Sequence, residues 1–320
     1  MAVRKNAEMG FVDCMLDGGP RSAALLARLD EATPWDKLAR PIAKLPEYNN
    51  KEGRPPWSPV TMLKCLLLAK WYNLSDPQLE EQLLDRISFR KFVGLSFADA
   101  TPDETTFVRF RKRLREAGLH ETLFKAVNKH IDRQGLLVRE GTMVDATIIE
   151  QSRGRRRPDG THTRDEDASS TVKHGKNHFG YKAHIAADIS GIVTDYRLTT
   201  AREHDSKRID ELVKHERVVV YADSAYTGEE RRAWLRARGV IGGICYKRNR
   251  GQAELYDWQQ TWNHLVSRVR ARVEHPFAML KHQLGLRRVR YRGLDRNGFD
   301  ICMALAACNL KRSVSLARDG

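Results

Sequence analysis

The sequence predicts an α/β protein in which an all-α region, residues 1–134, precedes a second region, residues 135–320, built on a mixed sheet. Three observations predict this division. The first region contains helix-start signals and an apolar helical run. After Gly135, short runs rich in β-branched residues alternate with turn signals. A strand–helix–strand passage and a terminal helix follow, which favours a sheet with helices over a sandwich or a barrel.

The helices of the first region are predicted from their caps. Ser58 and the proline after it form an N-terminal signal for a buried helix from Val60 to Trp71. The segments Ser75–Gln78 and Thr101–Glu104 match the capping box, so two more helices are expected there, the second ending near Arg115. A hydrophobic helix, a short turn and another helix are compatible with a DNA-reading helix-turn-helix, although most helical hairpins bind nothing.

The second region contains more kinds of element. In chain order we predict extended segments at Leu136–Val138 and Thr142–Ala146, a mobile basic loop at Gln151–Lys176, a hairpin around Ser190-Gly191, a helix at Lys207–His215, a strand at Val218–Asp223, a helix at Glu229–Arg238, a strand at Gly239–Tyr246, an irregular stretch at Lys247–Gln260, and helices at Thr261–Gln283 and Gly298–Lys311.

The net charge of +15 favours a polyanionic partner, because neutralising phosphates releases counterions. A generically basic protein is the alternative, but the charge is clustered: Arg153–Arg157, Arg109–Arg115 and Arg287–Arg292 each contain four arginines. The five cysteines are scattered and lack a C-x-x-C pair, which indicates a reducing compartment. No secretory signal and no apolar run of ~20 residues is recognisable, so we expect a cytoplasmic protein without a membrane partner.

Three carboxylates are candidates for metal chemistry. Asp145 and Asp223 each end an apolar strand-like run, and Glu274 lies in the predicted helix Thr261–Gln283. In that helix Arg270 and Lys281 share the face of Glu274. Carboxylates on rigid supports can hold two magnesium ions beside a phosphodiester. Each acid also has an ordinary interpretation: the aspartates as turn or cap residues, and Glu274 as a member of a surface ion pair. Their occurrence together in a basic chain favours metal-dependent phosphoryl transfer on nucleic acid.

The chain contains five motifs: Val144-Asp145-Ala-Thr, Phe179-Gly-Tyr-Lys-Ala-His184, His204-Asp205-Ser, Tyr221-Ala-Asp223-Ser-Ala-Tyr226 and the Arg270…Glu274…Lys281 segment. With these motifs the sequence resembles the DDE transposases of bacterial insertion sequences, specifically the large group named after insertion sequence five. The resemblance covers roughly residues 20 to 315. It implies a ribonuclease-H-like catalytic core preceded by an all-α module for terminal-repeat binding and dimerisation.

The resemblance also implies residue roles. Asp145, Asp223 and Glu274 would be the catalytic magnesium ligands, for two ions that Mn²⁺ can replace, and Arg270 and Lys281 would contact DNA at the element's end. The family signature has a tyrosine three positions before the arginine, where this chain has Ser267.

Other residues retain two interpretations. Lys182 and His184 project from one face of a strand, either toward DNA or into sheet packing. His204-Asp205 either orients the cleft or is a capped surface segment. Trp258 and Trp262 are interpreted as core packing rather than as stacking partners for a displaced base.

The sequence therefore predicts a transposase of a bacterial insertion sequence. It would bind the inverted-repeat ends of its own element in double-stranded DNA, cleave there and join the ends to target DNA. We expect a homodimer or larger assembly, because two DNA ends must meet, in the cytoplasm with the nucleoid. The alternatives are a purely hydrolytic ribonuclease-H-fold nuclease and a catalytically dead DNA-binding regulator.

Overall fold

The computed structural model describes residue 4 and residues 21–49, 54–155, 163–173, 175–248 and 251–319. The chain divides into two compact units. The helical unit comprises the residues up to His130 together with those from Cys302 onward, and the sheet unit comprises Ile131–Ile301. The last residues, which we expected within a domain spanning 135–320, therefore group with the helical unit instead.

The helical unit confirms the predicted all-α region. Its α-helices are α1 (Arg21–Ala32), α2 (Trp35–Ala39), α3 (Pro59–Trp71), α4 (Asp76–Asp85), α5 (Ile87–Val93), α6 (Glu104–Glu116) and α7 (Leu119–Arg133). Helix α3 is buried on almost every side, as its apolar run predicted: even the charged Lys64 is buried, and its ammonium pairs with Asp30 at 2.5 Å.

The caps of α4 and α6 differ. The predicted box at α4 is confirmed, since Gln78 N–H donates to Ser75 Oγ at 3.4 Å and Ser75 N–H donates to the Gln78 side chain at 2.9 Å. Helix α6 begins at Glu104, two residues later than a cap at Thr101 requires. Asp103 is its N-cap, because its carboxylate accepts from Thr106 N–H at 2.6 Å.

The sheet unit is built on a six-stranded mixed sheet, which confirms the predicted fold class. Its strands are β1 (Thr142–Glu150), β2 (Ser169–Lys173), β3 (Lys176–Asp188), β4 (Val193–Thr200), β5 (Val219–Ala222) and β6 (Ile241–Ile244). The strand order is β2-β3-β1-β5-β6, and β4 also pairs with β3. Strand β3 is antiparallel to β1, β2 and β4, whereas β1, β5 and β6 are parallel.

The two faces of the sheet carry different helices. Strand residues alternate in direction, so Val144 and Val220 face one side and pack with residues of α8 (Ile209–Leu212) and α9 (Glu229–Ala237). Met143 and Tyr221 face the other side, where Val269 and Phe277 pack against them. The second face is therefore covered by the segment that contains Glu274.

Several predicted elements of this unit differ from the structure. Leu136–Val138 is not a strand, and part of the predicted basic loop forms β2 instead, because it pairs with β3 along Ser169–Lys173. Residues 156–162 of that loop lie outside the described residues. Helix α10 (Asp257–Arg270) begins inside the stretch predicted to be irregular, and the last helix, α12 (Leu294–Asp319), is longer than predicted.

Candidate active site

Asp145 lies in the middle of β1, on the sheet face covered by α10. Its carboxylate is largely buried, accepts from Ala146 N–H at 2.7 Å and lies 3.4 Å from the Arg270 guanidinium. Burial raises the pKa of this carboxyl group, and the nearby Asp223 raises it further, whereas Ala146 N–H and Arg270 act in the opposite direction. The ionised form of the Asp145 carboxyl group is thus disfavoured by its surroundings, and an added cation would favour it.

Asp223 comes directly after β5, and the sheet register places it beside Asp145. Strands β1 and β5 are parallel, with Thr142 opposite Val220 and Met143 opposite Tyr221. Two residues further along both strands, the same register aligns Asp145 with Asp223, on strands about 4.8 Å apart. The Asp223 carboxylate also caps the short helix Ser224–Tyr226 by accepting from Ala225 N–H at 2.8 Å. The two aspartates form one acidic pair.

Glu274 does not join this pair in the structure. Its side chain is exposed, and no cluster of three or more potential metal ligands occurs within the described part of the chain. Glu274 begins α11 (Glu274–Ala278), one helical turn after Arg270. The third acid therefore follows Arg270, which contacts Asp145, by one helical turn but lies outside the donor set of the pair.

The helix predicted from Thr261 to Gln283 is broken, which explains the position of Glu274. Helix α10 ends at Arg270, a 3₁₀ turn spans Ala271–Val273, and α11 is followed by a π-helical turn at Met279–Gln283. Pro276 supplies the physical reason, because it lacks an N–H and its ring collides with the carbonyl four residues earlier in a regular helix. The assumed rotation of 100° per residue between Arg270 and Lys281 therefore does not apply.

The acidic pair is bordered by cations. Besides Arg270, Lys173 and Lys281 lie close enough to Asp145 for their charges to act on it or to be acted on by it. Burial lowers the pKa of Lys281, and the charges of Lys173 and Arg287 lower it further. Lys173 was missed from the sequence because it falls in the segment predicted to be a loop. This concentration of positive charge is suited to a phosphate group.

Lys182 and His184 lie on the other face of the sheet, because they pair with Ile148 and Ala146 rather than in line with Asp145. Lys182 forms an ion pair with Asp205 at 2.7 Å. His184 is only 1% exposed and is bonded to Thr199 Oγ1 at 3.0 Å. Burial lowers the pKa of His184 to about 4, so the ring is neutral. The prediction that His184 contacts DNA is wrong, since its side chain is enclosed by the protein.

Asp205, the second residue of the His204-Asp205 motif, is the ion-pair partner of Lys182. His204 Nδ1 accepts from Ser206 N–H at 3.3 Å, as a helix cap does, and Asp205 holds Lys182. Tyr226, which sequence reasoning did not single out, is also buried here. Burial raises the pKa of its hydroxyl group, and the charges of Asp205, Asp145 and Asp223 act in the same direction. The phenol therefore stays protonated.

Comparison with known families decides the class of this site. A family model described as the transposase DDE domain matches residues 137–310, which is more than half of the chain. The chain belongs to the DDE transposase family. A second model, described as a transposase domain, matches residues 16–113 in the helical unit. The protein is therefore a DNA-cleaving enzyme whose family depends on divalent metal.

Two solved structures resemble the transposase weakly. A Mos1 strand transfer complex is 15% identical, with a TM-score of 0.27, and the match covers 85% of this chain and 81% of that one. A Mos1 transposase paired-end complex with the left transposon end is 13% identical, with a TM-score of 0.21, and the match covers 70% of this chain and 80% of that one. No helix among the described residues is long and apolar enough to span a membrane.

The donor set fits a hard divalent cation in part. Mg²⁺ binds through one or two carboxylates, with its other positions left to water and substrate phosphates. Asp145 and Asp223 supply two such carboxylates from neighbouring strands, and the raised pKa of Asp145 shows that its charge is incompletely balanced. Glu274 would complete the set only after moving toward the pair.

Proposed function

We propose that this chain is the transposase of a bacterial insertion sequence of the insertion-sequence-five group, and that Asp145, Asp223 and Glu274 are its catalytic acids. The observation that carries the proposal is the shared register of β1 and β5, which aligns the two aspartates on one face of the sheet. Family membership supplies the class of reaction, and the acidic pair would be the place where it occurs.

The proposed cofactor is Mg²⁺, bound as two ions and replaceable by Mn²⁺. When bound, the metal neutralises the charge that develops on the phosphodiester and orients the attacking and leaving oxygens. Asp145, within β1, and Asp223, directly after β5, would hold it from rigid supports. Glu274 would join them after a rotation of α11, for which the 3₁₀ turn Ala271–Val273 provides the hinge.

Arg270, Lys173 and Lys281 would bind the phosphates flanking the cleaved bond. Arg270 contacts Asp145 in the structure, and this contact would exchange for a phosphate contact once DNA is bound. Tyr226 remains a hydrogen-bond donor because its hydroxyl is held in the protonated form. Lys182 would hold Asp205 in place behind this region rather than touch DNA, as their ion pair supports.

The chemistry would proceed in two transfers at one site. Water attacks the phosphodiester at the element's end, the bond from phosphorus to the 3′ oxygen breaks, and a 3′-hydroxyl is released. That hydroxyl then attacks a target phosphodiester, and the target's own 3′ oxygen leaves. No serine or tyrosine of the protein serves as a nucleophile.

The helical unit would recognise the inverted repeats. Helix α6 presents a row of basic residues, and the family model for a transposase domain covers this region. The hairpin of α3 and α4 is the candidate helix-turn-helix. Bringing two element ends to one target would require a homodimer or a larger assembly on double-stranded DNA.

The direct test uses a plasmid carrying the gene's own flanking DNA, with Mg²⁺, and compares the wild type with Asp223→Asn. The proposal predicts joined products from the wild type and none from the variant. Nicking without joining would indicate the hydrolytic nuclease instead. DNA binding without any cleavage by the wild type would indicate a regulator on a transposase fold.

A further inference from the structure

Asp223 is held by the short turn that follows it, Ser224–Tyr226, here called the capping turn. The Asp223 carboxylate accepts from Ala225 N–H at 2.8 Å, and the Asp223 carbonyl accepts from Tyr226 N–H at 3.2 Å. The capping turn is a single 3₁₀ turn, and the hydrogen bonds of such turns are weaker than those of an α-helix. The direction of the carboxylate therefore depends on what holds this turn from outside.

Arg231, on α9, holds the capping turn. Its Nη1 donates to the Tyr226 carbonyl at 2.9 Å, and its Nη2 donates to the Ser206 carbonyl at 2.7 Å. Its Nε donates to the Asp210 carboxylate at 2.9 Å. The Arg231 side chain is 14% exposed, so these bonds are largely shielded from water. One guanidinium thus joins the capping turn to the 3₁₀ turn Asp205–Lys207 and to α8.

The 3₁₀ turn on the other side of Arg231 is tied to the sheet. Asp205 forms an ion pair with Lys182 of β3 at 2.7 Å, and the Lys182 ammonium also donates to the Glu203 carbonyl at 2.6 Å. The Lys182 side chain is largely buried. A continuous set of contacts therefore runs from β3 through Lys182, Asp205 and Arg231 to the capping turn. Two sequence motifs on the other face of the sheet are thus connected to the acidic pair.

The chemistry of arginine suits this position. A guanidinium is planar and carries five donors in a fixed fork, whereas a lysine ammonium is a point charge on a flexible stem. Arg231 donates to acceptors on three separate segments, which one ammonium does not reproduce in the same geometry. Its charge is paired with Asp210. Arg231 therefore fixes geometry, in contrast to Arg270, which contacts an aspartate of the acidic pair directly.

The end of β6 is held from the same helix. Arg232 Nη2 donates to the Ile244 carbonyl at 2.9 Å, and Trp262 Nε1 donates to the same carbonyl at 3.2 Å. Trp262 is thus part of the packing, as predicted, whereas Trp258 is 58% exposed and the prediction of core packing for it is wrong. Helix α9 therefore fixes the ends of two strands, and Arg231 is the residue that acts on the turn after β5.

We propose that Arg231 is a positioning residue that orients the Asp223 carboxylate for metal binding, by holding the capping turn to the turn Asp205–Lys207. The inference rests on the proposed function, since it takes Asp223 to be a metal ligand. Replacing a residue that orients a metal ligand typically lowers metal affinity by about 10- to 100-fold. Because Arg231 acts through the backbone of the turn, we expect the lower end of that range.

The test compares Arg231→Lys with Arg238→Lys, its matched control. Arg238 follows α9 and also donates to two loop carbonyls, those of Lys214 at 2.5 Å and Glu216 at 3.3 Å, at the opposite end of β5. Isothermal titration calorimetry without DNA should give a Kd for Mn²⁺ about tenfold higher in Arg231→Lys and unchanged in Arg238→Lys. Raising the Mn²⁺ concentration should restore plasmid cleavage by Arg231→Lys, because the site is emptier but otherwise intact.

A second readout needs no metal. Selective ¹⁵N labelling of alanine in the metal-free protein follows the Ala225 amide, which donates to the Asp223 carboxylate; Ala225→Ser assigns its signal. In Arg231→Lys this signal should move toward its position in Asp223→Ala, where the bond is absent, and in Arg238→Lys it should stay in place. Asp210→Ala, which removes a half-exposed partner of Arg231, should move it less and in the same direction.

A wild-type Kd for Mn²⁺ together with an unmoved Ala225 signal in Arg231→Lys would overturn the proposal. Equal increases of the Kd in Arg231→Lys and Arg238→Lys would also overturn it, because they would indicate a general effect on folding. If Asp223→Asn binds Mn²⁺ like the wild type, the metal role of Asp223 in the proposed function fails. The Ala225 signal still decides, in that case, whether Arg231 orients the carboxylate.

Discussion

At the scale of single residues, the proposed metal-binding role of the acidic pair rests on a carboxylate charge that its surroundings balance poorly. Asp145 is enclosed on the sheet face, and its own neighbour Asp223 opposes its ionisation. Arg270 offsets this only partly, across 3.4 Å. A site that holds a charge at a cost to folding is prepared for a cation, since the bound cation removes that cost.

This imbalance predicts that Asp145→Asn stabilises the metal-free protein at neutral pH. The folded-state pKa of Asp145 is raised, so ionisation opposes folding, and the destabilisation appears as pH rises through that pKa. Asparagine keeps an oxygen for Ala146 N–H and Arg270 without the charge. Thermal melts in EDTA should give a higher Tm for the variant at pH 7, with the difference vanishing below about pH 4. A lower Tm at pH 7 would contradict this account.

The residue types of the site were predictable from the sequence, whereas their contacts were not. Asp145 and Asp223 follow apolar runs, and that pattern located both. The direction of Lys182 and His184 depends on the pairing of β3 with β1, because a shift of one residue reverses the face. Sequence alone does not give that register, so it could not decide between DNA contact and sheet packing for His184.

At the scale of elements, the break in the helix between Arg270 and Lys281 determines where Glu274 lies relative to the acidic pair. Pro276 separates Arg270 from Lys281 into short helical pieces, and Glu274 begins one of them outside the acidic pair. Helical periodicity predicted one regular helix here, because a long amphipathic pattern is insensitive to the local penalty of a single proline. The acids on strands were thus placed more accurately than the acid on the helix.

The position of Glu274 predicts a separation of metal binding from catalysis. Without DNA, Glu274→Gln should bind Mn²⁺ with the wild-type Kd, while Asp223→Asn should bind it at least about tenfold more weakly, since one of two carboxylates is lost. Isothermal titration calorimetry measures both. All three acids are expected to be required for plasmid cleavage. A tenfold loss of Mn²⁺ affinity in free Glu274→Gln would show that the triad is already assembled.

Helix caps give an independent check of the helical unit. Asp103→Ala should lower the free energy of unfolding by about 1 kcal/mol, because the N–H of Thr106 loses its acceptor. Thr101→Ala, the control, should leave it unchanged within a few tenths of a kcal/mol, since Thr101 precedes the helix by three residues. Urea denaturation separates the two. A larger loss of unfolding free energy in Thr101→Ala than in Asp103→Ala would instead support the capping box predicted at Thr101–Glu104.

At the scale of the whole molecule, the net charge and the two-unit organisation of the chain are both those expected of a transposase. A net charge of +15 accompanies a chain whose helical unit and sheet unit match separate transposase models. The order of helices and strands was predictable because long amphipathic patterns and caps are local signals. The grouping of residues from Cys302 onward with the helical unit was not, since it depends on contacts distant in sequence.

Metal rescue shows whether the acidic pair binds the catalytic metal. Asp223→Cys and Asp145→Cys replace a hard oxygen ligand by a softer thiolate, which favours Mn²⁺ over Mg²⁺. Both variants are expected to fail to cleave plasmid DNA in Mg²⁺ and to regain cleavage in Mn²⁺, while the wild type is active in both. Equal activity of a cysteine variant and the wild type in Mg²⁺ would contradict a ligand role for that aspartate.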